Sequence, residues 1–263
     1  MLTAALGLLF LFLAAEPLPE GNAYVRALVA KQKRREEALN RYTYDVEQLF
    51  EEMDAHGAVR SRKVQRFEVF YVKGRPLRKL VAEDGRPLTK GEQEAEEKRV
   101  RERVDEIAGE RVVFQDSSVR LSAILERYDF RTVAREDLDG WPALVLEFQA
   151  RPGKRDLEGD AVLRALAGRI WVDEAEVEVV RAEVRSTSDI KFALGIGASV
   201  SAVGLILDFR KIEDGLWLPA RVEASVEARL LLLKGFRGRS TSIFSHYRRF
   251  EAASEEEIKP PSQ

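Results

Sequence analysis

The chain has no cysteine and only two histidines, His56 and His246, among its 263 residues. Without cysteine there are no disulfides, no thiol nucleophile and no cysteine-based metal site. The acyl-bearing cysteine of a bacterial lipoprotein is missing too. Two histidines in unrelated contexts exclude a histidine-rich metal site, and no HExxH motif occurs. An excess of either charge is also lacking: 43 Lys and Arg stand against 45 Asp and Glu, a formal net charge of -2. No global field therefore favours nucleic acid, and no nucleic-acid partner is expected. Catalytic signatures are absent as well. Gly197-Ala198-Ser199-Val200-Ser201 lacks the closing glycine of a nucleophile elbow. Gly195-Ile196-Gly197 lacks the third glycine of a dinucleotide loop, and no βαβ unit follows it. The acidic pairs Glu51-Glu52 and Asp173-Glu174 read as turn or outer-face residues, and His246 as a packed or surface histidine. No catalytic residue, metal or cofactor is expected. The composition is that of a binding protein rather than an enzyme.

What the chain does contain begins with an apolar leader. Leu6–Leu13 is unbroken, Ala14 and Ala15 follow, and Glu16-Pro17 breaks the run. This reads as a signal peptide over residues 1–15, cleaved near Ala15 and too short to span a membrane. Its first residues, MLTAA, carry no Lys or Arg, and an uncleaved anchor is the alternative.

Residues 22–252 then read as one domain, and 253–263 as a disordered tail. Asn22 can cap a helix with Tyr24, Val25, Leu28, Val29 and Leu39 at helical spacing. Alternating strands follow at Tyr42–Met53, Val64–Lys73 and Leu77–Ala82, with a turn at His56-Gly57. Thr89–Gly109 is a charged surface helix with a thin stripe of Val100, Val104 and Ile107. A short helix capped by Ser118 is predicted at Val119–Arg127, and strands at Phe130–Arg135 and Ala143–Gln149 about a turn at Asp139-Gly140. A polar loop at Gly153–Gly159 precedes a short helix near Ala161–Ala167. From Gly168 to Phe250 the chain is almost all strand. The fold class is mainly β with helices (α+β), a curved antiparallel sheet.

The alternation separates two faces. In Ala220–Leu230, Val222, Ala224, Val226 and Ala228 alternate with Arg221, Glu223, Ser225 and Glu227. Val180, Ala182 and Val184 alternate likewise with Arg181, Glu183 and Arg185. These apolar faces are small. They either let a helix approach closely or leave volume for an apolar ligand. Two segments look different. Phe192–Leu207 has no charge and reads as an apolar hairpin, with Leu194, Ile196 and Leu205 at its tip, or else as two buried strands about a Gly-rich turn. Leu231, Leu232 and Phe236 lie beside Lys234, Arg237 and Arg239. Apolar residues rimmed by cations suit a membrane surface or an acylated, anionic partner, while an ordinary charged hairpin end is the alternative.

The runs GRIWVDEAEVEVVRAEV, GLWLPARVEA and LLLLKGFRGRSTSIFSHYRRF resemble the outer-membrane lipoprotein-sorting proteins of the LolA/LolB-like superfamily. The leader, first helix and Tyr-rich first strand fall in the family's order. The resemblance implies a half-open antiparallel β-barrel, with helices packed over the open side and a cavity for acyl chains. It implies a monomeric periplasmic carrier of lipid or acylated lipoproteins moving toward the outer membrane, with Val180, Ala182, Val184, Val222, Ala224, Val226 and Ala228 lining the cavity. Relatives of that fold act instead as regulatory modules of envelope stress that bind protein partners, here through the apolar tips. The family's lid-contacting arginine matches no single position of this Arg-rich chain. The missing cysteine rules out a receptor anchored by its own acyl chains.

Overall fold

The computed structural model describes residues 16–54, 56–109, 121–151, 160–191, 198–212, 215–230 and 233–249. The leader, the tail, the Gly153–Gly159 loop and Ser118 fall outside them. Among the described residues the helices are α1 (Gly21–Leu39), α2 (Lys90–Ala108), α3 (Leu121–Leu125) and α4 (Asp160–Arg164). The strands are β1 (Tyr42–Met53), β2 (Val59–Val72), β3 (Arg75–Glu83), β4 (Arg86–Pro87), β5 (Tyr128–Leu138), β6 (Trp141–Ala150), β7 (Leu166–Asp173) and β8 (Glu178–Ser186). After them come β9 (Ile190–Lys191), β10 (Ala198–Lys211), β11 (Trp217–Leu230) and β12 (Leu233–Arg249).

All the strands join one antiparallel sheet in the order β4-β3-β2-β1-β12-β11-β10-β8-β7-β6-β5, with β9 pairing to β10 beside this path. β4 and β5 do not meet, so the half-open form expected from the sequence is the one found. β1 pairs with β12, which brings the first and last strands together at the middle of the sheet. Short turns set the registers. Lys73-Gly74, Asp84-Gly85 and Asp139-Gly140 each place both residues at positive φ, the two-residue hairpin geometry that matches strand twist. Only the last of these turns had been read from the sequence.

α1 packs against β5 and β8. Its stripe of Val25, Leu28 and Val29 is buried, as the helical spacing predicts. The cap differs from the expected one. Glu20 accepts the N–H groups of Asn22 and Ala23 at 3.0 and 2.6 Å. Asn22 Oδ1 is used elsewhere, accepting the Phe130 N–H at 2.8 Å. The helix start thus touches strand backbone, and an added Cβ on Gly21 would stand 2.4 Å from the Phe130 carbonyl oxygen.

α2 carries a capping box between Thr89 and Glu92 and ends at Gly109, close to its expected bounds. Among its residues only Ile107 is buried, and it packs on β3 and β2. α3 ends at Leu125 and α4 at Arg164, before the ends predicted at Arg127 and Ala167. The chain from Leu166 onward, expected to finish a helix, is already in β7, where pairing with β6 and β8 overrides local helix propensity.

Gly168 sits where β7 passes between Phe148 and Val184. A Cβ there would lie 1.9 Å from the Glu183 carbonyl oxygen and 2.9 Å from the Phe148 ring. Gly168→Ala is expected to destabilise the fold by about 1–3 kcal/mol, the usual cost of overpacking. Thermal denaturation followed by circular dichroism measures it, and an unchanged melting temperature would contradict this packing.

Candidate functional site

Registers across the sheet define its two faces. Phe130, Phe148, Gly168, Val184, Leu205, Ala224, Ser240 and Phe50 stand in one cross-strand row and share a face. α1 covers this face from β5 to β8, where Leu28, Tyr128, Leu144, Leu146 and Ile170 form the main core. Beyond β8 the cover thins. α1 still reaches Leu207 and Phe209 of β10, and its Leu39 packs with the Tyr44 and Val46 cluster of β1, while the middles of β10 and β11 are less covered. There Val203, Leu205, Leu207, Val222, Ala224 and Val226 remain partly exposed. Phe50 and Phe236 close the far side, stacked at 6.4 Å and 38% and 37% exposed. Gly238 lies beneath the two rings, since a Cβ on it would meet them at 2.8 and 3.4 Å.

The residues singled out in the sequence distribute unevenly. Val222, Ala224, Val226 and Ala228 all lie on the bare half of this face. Ala182 is buried under α1, and Val184 packs at the margin of that core. Val180 does not share their face. A register shift opposite Val172 makes it an extra residue of β8, and it packs with Trp171 and Trp217 in a second cluster on the other side of β6. Leu205 is no hairpin tip: it stands mid-strand in β10, between Val184 and Ala224. Of the charge-free Phe192–Leu207 segment, residues 192–197 lie outside the described residues, and Ala198–Leu207 belongs to β10, a central strand flanked by β8 and β11. Leu194, Ile196, Leu231 and Leu232 lie outside the described residues. Phe50, Val203 and Leu207 join the face without having been singled out as site residues. For Phe50 the signal was available in the alternation of the Tyr-rich first strand.

Arg35 stands where the covered half meets the bare half. Its side chain is 4% exposed. Nη1 donates to Glu178 at 3.2 Å and to the Val179 carbonyl at 3.3 Å, and the guanidinium lies 4.5 Å above the Phe209 ring. Its Nη2 has no hydrogen-bond partner among the described residues. Burial pushes Arg35 down to about 10 and raises the Glu178 carboxyl above its usual range, against the pull of the arginine. Tyr24, whose buried hydroxyl also lacks a partner, is pushed up to about 12 by burial. Removing the cation by Arg35→Ala leaves Glu178 buried without it, and should cost about 3–5 kcal/mol at neutral pH. Because the folded-state pKa of Glu178 lies above its unfolded value, that deficit should shrink as pH falls through it and the carboxyl becomes neutral. Urea titrations at neutral and mildly acidic pH test this; a pH-independent deficit would contradict it.

A cavity of about 1150 Å³ opens elsewhere. On β5, β6, β7, β8, β10 and β11 it is lined by three consecutive residues, and the middle one always belongs to the row that begins at Phe130. The Phe130 and Phe148 side chains lie in the α1 core, so these middle residues offer main chain to the cavity. Their neighbours, among them Arg131, Glu147, Arg169 and Glu183, turn outward into it. The cavity therefore lies on the face opposite α1, and its walls are charged.

No family model and no curated protein sequence matches the chain. Among solved structures it is similar to an outer membrane lipoprotein-sorting protein domain from Vibrio parahaemolyticus, at 13% identity and TM-score 0.41, covering 87% of this chain and 93% of that one. It is similar to a LolA superfamily protein from Nitrosomonas europaea, at 12% identity and TM-score 0.40, covering 88% and 96%. A DUF1329 family protein from Desulfovibrio piger gives 11% identity and TM-score 0.39 over 90% and 96%.

Proposed function

We propose that this protein is an exported, periplasmic carrier that holds the acyl chains of lipids or lipoproteins against the bare half of its apolar sheet face. One observation carries the reading. Val203, Leu205, Val222, Ala224 and Val226 of β10 and β11 remain partly exposed, with Phe236 and Phe50 exposed beside them, while α1 seals the same face from β5 to β8. The floor of this exposed part is low, built from Ala224, Val226, Gly238 and Ser240. An extended chain can lie on such a floor with Phe50 and Phe236 as a wall. The polar groups in the floor do not repel it. Gln48 Nε2 donates to Ser240 Oγ at 2.9 Å, so each partly satisfies the other. The drive is burial of apolar surface, about 0.8 kcal/mol per methylene, and several methylenes give several kcal/mol. The leader at Leu6–Leu13 supports export, and among the described residues no helix is long and apolar enough to cross a membrane.

Ala224→Trp raises the middle of the floor. A fluorescent fatty acid should bind this variant at least about tenfold more weakly, because one indole occupies the space of several methylenes. The melting temperature should stay close to that of the unmodified protein. Unchanged affinity in a folded variant would overturn the reading.

A further inference from the structure

The charged cavity on the face opposite α1 contains an arrangement that the acyl-chain reading does not use. One register row runs Arg185, Gly204, Ser225, Arg239 across β8, β10, β11 and β12. All four residues line the cavity, with their side chains on the same face. Each carboxylate near them already pairs with another arginine, Arg181 serving both Glu183 and Asp208. Asp129 takes Arg151 at 2.8 Å, Glu147 takes Arg169 at 2.8 Å, and Glu183 takes Arg181 at 2.9 Å. Glu223 takes Arg221. At the outer end Glu51, which faces Arg239 across β1, takes Arg62 at 2.7 Å, and Glu227 takes Arg237 at 2.9 Å.

Arg185 and Arg239 are left over. Neither has a hydrogen-bond or ion-pair partner among the described residues, and the Ser225 hydroxyl has none either. Three strand spacings, about 14 Å, separate the two arginine Cα atoms. The two positions between them carry no long side chain. A Cβ on Gly204 would come within 2.7 Å of Ser225 Oγ, so even a methyl group there would crowd the hydroxyl. Two unpaired guanidinium groups flank a gap with one free hydroxyl at its floor.

We infer that this gap binds a phosphate group. Guanidinium forks from Arg185 and Arg239 would clasp its oxygens from two sides, the geometry in which arginine outperforms lysine. Ser225 Oγ–H would donate to a third oxygen. The phosphate can be free or can belong to an anionic lipid headgroup, since both present the same oxygens. The site does not depend on the acyl-chain reading, because it lies on the other side of the sheet.

Isothermal titration calorimetry of the full chain tests it, with inorganic phosphate and with monomeric dihexanoyl phosphatidylglycerol as separate probes. Wild type should bind phosphate, more weakly as salt rises. Arg185→Gln and Arg239→Gln should each lose about tenfold to a hundredfold in affinity, the range for removing a charged hydrogen bond. Arg131→Gln, whose charge serves Glu147, should bind as wild type does. Ala224→Trp, on the opposite face, should also retain phosphate. Tighter binding of the lipid than of phosphate, lost in the same two variants, assigns the site to a headgroup; equal or weaker binding assigns it to free phosphate. Failure of wild type to bind either probe, or wild-type affinity in both arginine variants, overturns the inference.

Discussion

The structure turns on a mismatch of widths. A helix of 19 residues is about 28 Å long. The sheet path of eleven strands, at about 4.8 Å each, is close to 48 Å across. α1 can therefore seal only part of one face. Where it lies, the side chains beneath are large and fully buried, as at Leu144, Leu146 and Ile170. Past it, Leu205, Val222, Ala224 and Val226 stay partly exposed. A sheet this wide, with helix cover over only part of its inner face, leaves apolar surface partly exposed, and that surface is what the proposed function uses.

Arg35 marks the end of the cover. A guanidinium is a costly group to bury, and this one is only partly compensated by Glu178, the Val179 carbonyl and the Phe209 ring. Its position fits a boundary, where the helix passes from a dry core to a surface that stays partly open. The many exposed ion pairs behave differently. Pairs such as Lys33–Glu126 or Lys98–Glu102, both well exposed, contribute little to stability one by one. Their main effect is to keep the outer face wet.

Much of the fold was legible in the sequence because its signals are local. Period-two alternation placed β1, β8 and β11, the charged run placed α2 with its Thr89 and Gly109 ends, and Asp139-Gly140 placed a turn. The errors came from non-local pairing. Nothing adjacent to Val180 announces that β8 gains a residue opposite Val172, so alternation assigned it to the wrong face. The charge-free composition at Leu205 suits a hairpin tip and a central strand alike, and only the pairing with β8 and β11 distinguishes them. The bare half of the apolar face was visible only as small side chains. That such residues lie beyond the reach of α1, rather than under it, follows from strand order. The row joining Arg185 to Arg239 draws on positions 54 residues apart and was equally hidden.

The unclosed sheet has one further consequence, at its rims. A strand with a single neighbour offers unpaired N–H and C=O groups to any other extended chain, the usual route to edge-to-edge aggregation. β5, paired only with β6, carries exposed Arg131, Arg135, Glu136 and Asp137 along its length. At the other rim β4 is only two residues long, and Pro87 has no N–H to give. A molecule that keeps greasy surface on display in its middle thus blunts its borders, so that what sticks to it is drawn to the face and not to the edge.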